Sequence, residues 1–363
     1  MKHQHTDDNW LTLIKYIEDH QCDWSMEPDP TGEQWGIHLQ DDPPHNRLLG
    51  PVFERGKTCG VIVSHGKTLC SWGDTSRADM TFSVTKTCLA LVAGIAYDQG
   101  LLPPLDQPIA QRLPGIGFDN QHNRRITWRQ MLQFTSEWQG SCFGIPDQID
   151  HNRNVALQAV ENTKRKGEAR ALNTPGTYWE YNDVRINQFS LALLHLFEKP
   201  LPDVLKKFIM DPIGASDTWR WHGYENSWIS IEGQKMQSVP GGGHWGGGMV
   251  INVDDQSKLA QLLTNFGICD HQTVSTQLVS REWIELMVQP CPVAPFYGFF
   301  TWLNHNQKIS AKAPSSSFFA MGIGGQLLLH DPKNKLVGIY RWLDSDHVSP
   351  IVDMTYELLQ SPD

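Results

Sequence analysis

The order of its β-rich and helical segments constrains this chain most. Near the front, the runs 59–64 and 68–73 flank a tight turn at His65-Gly66-Lys67, a hairpin pattern. Three more apolar, β-branched or aromatic runs stand near the end: YGFFTWLN (297–304), GQLLLHD (325–331) and KLVGIYRWL (335–343). The last two meet at Asp331-Pro332-Lys333-Asn334, a good turn sequence. From about 104 to 290 the spacing is mainly helical: ITWRQMLQF, NVALQAVENTKR, INQFSLALLHLFEK, LPDVLKKFIM, DQSKLAQLLTNFG and SREWIELMVQ. NWLTLIKYIEDH (9–20) and SPIVDMTYELLQ add a helix at either end. Strands from both ends can share one sheet if the middle is an insertion. The expected fold is α+β. A five-stranded antiparallel sheet, flanked by the N- and C-terminal helices, is built from 1–80 and 291–363. A large mainly helical domain occupies 81–290, and a cleft at the seam is a favoured place for a small-molecule site.

Composition narrows the function. The 363 residues carry a formal charge of -10 with no basic run, which argues against nucleic acid and against an anionic membrane surface. No window reaches the roughly 18–20 apolar residues of a membrane span. The polar start MKHQHTDDNW lacks the apolar core of a secretory signal, so a cytoplasmic location is expected. The seven cysteines form no CxxC pair, and neither a disulfide framework nor a zinc site is signalled. No metal or cofactor is expected, and the oligomeric state is left open.

The chemistry concentrates in MTFSVTKTCLALVAGIAYDQG (80–100). Ser83 opens an apolar helix over 83–98, ended by Gly100 and Pro103. Its N–H is among the unpaired donors of the first turn, where the helix dipole favours negative charge. Lys86 follows at i+3 on the same face. Among Phe82, Val84 and Leu89, a poorly solvated lysine is expected to have a lowered pKa and to accept the serine's proton. By itself S-x-x-K is an ordinary N-cap with a snorkelling lysine. Two further segments give it context. In TPGTYWEYNDVRINQFS, Tyr181 precedes an amphipathic helix and is placed to act as general base. In AMGIGGQLLL, glycines at 322, 324 and 325 open a strand, a sign of close backbone approach. The N–H of Gln326 is expected to join that of Ser83 in holding an oxyanion.

Together, TFSVTK, LLPPLDQPI, ITWRQMLQFTSEW, TPGTYWEYND, GGGHWGGGMVINVDDQSKLAQLL and FFAMGIGGQLLLHDP resemble the serine β-lactamase and penicillin-recognising enzyme superfamily. The likeness runs from about 50 to 345. It is strongest to the branch of class C β-lactamases, family VIII carboxylesterases and 6-aminohexanoate-dimer hydrolases. It implies that Ser83 is acylated, that Lys86 is its lysine, and that Tyr181 is the tyrosine of a Y-x-N motif. It also implies acyl transfer to water without metal or cofactor. Three departures stand out. Asp183 replaces the asparagine of Y-x-N, and its carboxylate would keep Lys86 protonated and shift the base role towards Tyr181. Ile323-Gly324-Gly325 align with the K-T-G box, so the cation that binds a β-lactam carboxylate is missing. Glu137 stands where a glycine is usual after Thr135-Ser136. His244 and Trp245, before a helix capped by Asp254 or Asp255, are expected to shape the acyl pocket, with Trp138, Phe143 and Tyr178 as further wall candidates. The expected function is a serine hydrolase of a small ester or amide; the alternative is a catalytically idle binding protein of the same fold.

Overall fold

The computed structural model describes residues 8–24, 41, 43–155, 164–242, 245–271 and 274–360. Strands β1 (Cys59–Ser64), β2 (Lys67–Trp72), β3 (Trp302–Leu303), β4 (Phe318–Gly322), β5 (Gln326–Asp331) and β6 (Leu336–Arg341) form one sheet in the order β3-β4-β5-β6-β1-β2. All neighbours are antiparallel. The front hairpin therefore pairs with the last strand, Cys59 opposite Arg341 and Ser64 opposite Leu336, as an inserted middle requires.

The sheet has six strands where the sequence pattern suggested five. The additional strand is β4, which pairs Gly322 with Gln326 across a three-residue turn. Gly324 and Gly325 sit at φ +75° and +71°, conformations that L side chains rarely adopt, so 323–325 is that turn rather than the start of a strand. The aromatic run 297–304 keeps only Trp302–Leu303 as strand. Phe300 at φ +51° and Gly298, packed on the Met287 carbonyl, bend the rest out of the ladder.

One face of the sheet, with Val61, Val63, Ala320, Leu328, Val337 and Ile339, packs on Val84, Val253 and Ala260. The other bears Tyr340, whose hydroxyl lies 2.8 Å from Thr355 Oγ1 of the closing helix α5 (Val348–Gln360). The opening helix α1 (Asp8–Asp19) belongs to the same side, where Tyr16 Oη meets His347 Nδ1 at 2.8 Å. The middle supplies helices α2 (Thr85–Asp98), α3 (Asp183–Phe197) and α4 (Val253–Thr264), with shorter ones between. Asn252 caps α4 by accepting from Asp255 N at 2.7 Å. The cap thus falls two or three residues before the expected Asp254 or Asp255. Most of the helix expected in NVALQAVENTKR lies outside the described residues.

Candidate active site

The turn that presents Ser83 is fastened from below. Thr81 donates its N–H and its hydroxyl to the Met249 carbonyl, at 2.9 and 3.0 Å. Met249 N returns a bond to Thr85 Oγ1 at 3.0 Å. Met249 belongs to strand Gly248–Ile251, which pairs with Asp79–Met80, so the glycine-rich segment of the sequence is a brace for the helix mouth. Phe82 sits at φ +49°, a conformation costing on the order of 1–3 kcal/mol for a residue with a side chain. Its ring is held edge-on to Trp24 and Trp342, at 6.4 and 6.3 Å. Phe82 and Val84 are thereby buried while Ser83, between them, keeps partial exposure.

Lys86 lies directly behind. Its Nζ donates to Ser83 Oγ at 3.0 Å and to Asp183 Oδ1 at 2.7 Å, with both charged side chains buried. The apolar setting suggested a lowered lysine pKa. Burial does press it down and is the largest single influence, but the Asp183 carboxylate beside it, with the hydrogen bonds it accepts, outweighs it. The pKa is raised from its ordinary value, and Lys86 is a cation at neutral pH. Asp183 is the first residue of α3, and its backbone N–H donates to Asp150 Oδ2 at 2.6 Å. Asn182 caps that helix, accepting from Val184 N and Arg185 N at 2.9 and 3.2 Å.

Tyr181 immediately precedes this cap and reaches the same point. Lys86 Nζ lies 4.7 Å from the centre of its ring and the Arg153 guanidinium 5.3 Å. Trp302 stacks on the ring at 5.8 Å, and Phe134 and Tyr297 close round it at 5.0 and 6.4 Å. Ser83, Lys86, Tyr181 and Asp183, separated by up to a hundred positions in the chain, therefore share one site.

The remaining expected residues are placed differently. Gln326 is the ladder partner of Gly322, and it is Gly322 that touches the turn carrying Ser83: a Cβ there would stand 2.4 Å from Thr81 O and 3.3 Å from Phe82 Cβ. Ile323, Gly324 and Gly325 belong to the turn beyond it. The strand beside the site is Phe318–Gly322, which carries no cation. Trp245 is completely buried, with Nε1 donating to the His45 carbonyl at 2.7 Å, so it packs rather than lines a pocket. Trp138 is buried too, its ring over Gly117 and Gly140. His244 lies outside the described residues. Sequence reasoning missed Gly242: a Cβ at this position would stand 3.0 Å from Lys86 Nζ and 3.3 Å from Ser83 Oγ. The glycine run was the available signal. Gly241 N, donating to Asn187 Oδ1 at 3.0 Å, anchors it.

Glu137 shows how the unusual residue is accommodated. It sits at φ +50°, the conformation that makes glycine usual there. Its carboxylate accepts from both Nη atoms of Arg170 at 2.7 Å and lies 3.4 Å from Arg185. Arg185 also binds Asp147 and Glu180, at 2.8 and 2.9 Å, so the strained loop is tied into a buried ion network. Among the described residues no cluster of His, Cys, Asp and Glu has the form of a metal site, and no helix is long and apolar enough to cross a membrane.

A fold of this kind, with a serine and a lysine one turn apart at the mouth of a buried helix, defines the β-lactamase and penicillin-binding-protein class. The sequence model of the Beta-lactamase family matches residues 61–342, and the chain belongs to that family. No curated protein matches the sequence. Among solved structures it is similar to simvastatin synthase LovD from Aspergillus terreus, with 13% identity, a TM-score of 0.61, and coverage of 98% of this chain and 100% of that one. EstCE1, a hydrolase with promiscuous acyltransferase activity, has 15% identity and a TM-score of 0.60 over 97% of this chain and 100% of that one. A family VIII carboxylesterase has 15% identity and a TM-score of 0.56 over 85% and 91%.

Proposed function

We propose that this protein is a serine hydrolase that cleaves a small ester or amide through an acyl-serine intermediate. The observation that carries the reading is the contact of Ser83 Oγ with Lys86 Nζ at 3.0 Å, the same Nζ lying 4.7 Å from the centre of the Tyr181 ring. In the reactive form the Tyr181 oxygen carries no proton: Ser83 Oγ attacks the carbonyl carbon and its proton passes to that phenolate oxygen, because Lys86 is already protonated. The carbonyl oxygen becomes an anion facing the backbone N–H of Ser83, with Gly322 the second candidate donor. Collapse of the tetrahedral species breaks the bond to the alcohol or amine, which leaves with the proton. Water then adds to the acyl-serine by the same route in reverse, releasing the acid and restoring the hydroxyl.

The esterase, hydrolase and acyltransfer chemistry named for the similar structures supports this class of reaction. A strand beside the site without a cation speaks against β-lactam recognition. The ion pair that fixes Lys86 favours a second reading, a binding protein that keeps the fold without turnover. A fluorophosphonate probe and nitrophenyl esters separate the two. Covalent labelling of Ser83, lost in Ser83→Ala, supports the hydrolase. Absence of both adduct and turnover across a broad ester and amide panel supports the binding protein.

A further inference from the structure

We propose that Asn187 and Ser190 are positioning residues that determine acyl-size specificity: from one face of α3 they hold residues 239–242 in register and so set where Gly242 stands against Ser83 and Lys86. The inference deepens the hydrolase reading and rests on it for its kinetic consequences alone. Asp183, Asn187 and Ser190 follow at i, i+4 and i+7 on α3, so they share a face. Each takes a different hold. Asp183 Oδ1 accepts from Lys86 Nζ at 2.7 Å, Asn187 Oδ1 accepts from Gly241 N at 3.0 Å, and Ser190 Oγ donates to the Val239 carbonyl at 2.6 Å. Trp221 Nε1 adds a bond to the Pro240 carbonyl at 2.9 Å. Asp183, Asn187, Ser190, Trp221 and Val239 are all buried.

The lengths agree. Seven residues of helix rise about 10.5 Å, and three residues of extended chain cover about 10 Å. A segment running antiparallel to α3 therefore keeps step with it, from Val239 at Ser190 to Gly242 at the lysine that Asp183 holds. The Gly241 N–H can only donate, so the Asn187 oxygen faces it, and Nδ2 donates to Tyr224 Oη at 3.2 Å. Pro240 has no N–H, and its carbonyl takes the bond instead. A Cβ on Gly241 would stand 2.4 Å from Ile186 Cγ1 of α3 and 2.9 Å from Leu89 Cδ1 of α2, so the chain is wedged between two helices. One residue on, the Cβ position of Gly242 lies 3.0 Å from Lys86 Nζ and 3.3 Å from Ser83 Oγ. The backbone of residue 242 thereby walls one side of the serine hydroxyl, and its placement sets the room for any acyl group joined there.

The test uses the full-length protein with three variants. Asn187→Leu removes the acceptor for Gly241 at nearly constant volume. Ser190→Ala frees the Val239 carbonyl, and Ser190→Thr keeps the hydroxyl. Acylation by nitrophenyl acetate is expected to slow by about ten- to a hundredfold in Asn187→Leu and Ser190→Ala, the scale of an ångström of misplacement. Acylation by nitrophenyl hexanoate falls less as the wall recedes, so the hexanoate-to-acetate ratio rises; Ser190→Thr keeps the native ratio. A role in packing alone lowers the melting temperature without moving that ratio. A folded Asn187→Leu with the native ratio, or a threonine no better than alanine, overturns the proposal. Should Asn187→Leu not fold, the two Ser190 variants carry the test. Hydrogen exchange gives a readout independent of activity: the Gly241 and Gly242 amides exchange faster in Asn187→Leu while α3 stays protected. Unchanged exchange at those amides overturns the hold even if the rates fall. If the native protein neither labels nor turns over while those amides respond, the hold stands and the hydrolase reading alone fails.

Discussion

Asp183 grips Lys86 more closely, at 2.7 Å, than Lys86 grips the Ser83 hydroxyl, at 3.0 Å. The lysine is thus first a buried ion-pair partner and second a neighbour of the Ser83 hydroxyl. That order sets its protonation, since a lysine held by a carboxylate in a buried site keeps its proton.

Tyr181→Phe is expected to slow acylation of Ser83 by about two orders of magnitude or more, the usual worth of a general base. The ring contacts with Trp302 and Phe134 survive the change, so the melting temperature should barely move. Single-turnover kinetics with a nitrophenyl ester reads the effect; a near-native rate would transfer the base role to another group.

Lys86→Ala should remove most activity while leaving Asp183 paired with Arg153. Because Lys86 has a raised folded-state pKa, its contribution to stability is complete below the ordinary lysine value of 10.5 and fades as pH climbs through the folded value. The native protein should therefore lose stability at strongly alkaline pH more steeply than Lys86→Ala. Urea unfolding at a series of pH values checks the slope.

Gly242→Ala is expected to cut turnover at small cost in stability. The added Cβ would lie 3.0 Å from Lys86 Nζ and 3.3 Å from Ser83 Oγ, crowding the atoms that must move during attack. Unchanged kcat/KM in a folded variant would place that glycine outside the reacting geometry.

The Glu137 network predicts acid sensitivity. Burial pushes the carboxyls of Glu137 and Asp147 up, but Arg170 and Arg185 overcome it, and both end below their ordinary values of 4.5 and 3.8. Their stabilisation is present above the ordinary carboxylate range and is lost as pH falls through the lowered values. Glu137→Gln leaves Arg170 and Arg185 with a weaker acceptor and should cost about 3–5 kcal/mol, the range for breaking a buried pair. The variant's acid unfolding should also be shallower, which circular dichroism against pH would show.

Much of this was legible locally. Ser83 and Lys86 are one helical turn apart, so their meeting followed from helix geometry. The hairpin at 59–73 and the strands at 325–343 followed from alternation and turn residues. The strand Phe318–Gly322 was hidden because Gly322, Gly324 and Gly325 read as one glycine-rich stretch, and only the φ of the last two separates strand from turn. Trp138 and Trp245 looked like pocket walls because aromatic residues near a site suit either lining or packing, and sequence does not give direction.

The sequence by itself determined the class of fold and the serine–lysine pair, because periodicity and spacing act within a few residues. The tertiary structure decided the lysine's charge state and the contact between Arg153 and Asp183. Those depend on which distant side chains share a water-poor space, and Coulomb interactions there follow separation in space rather than along the chain.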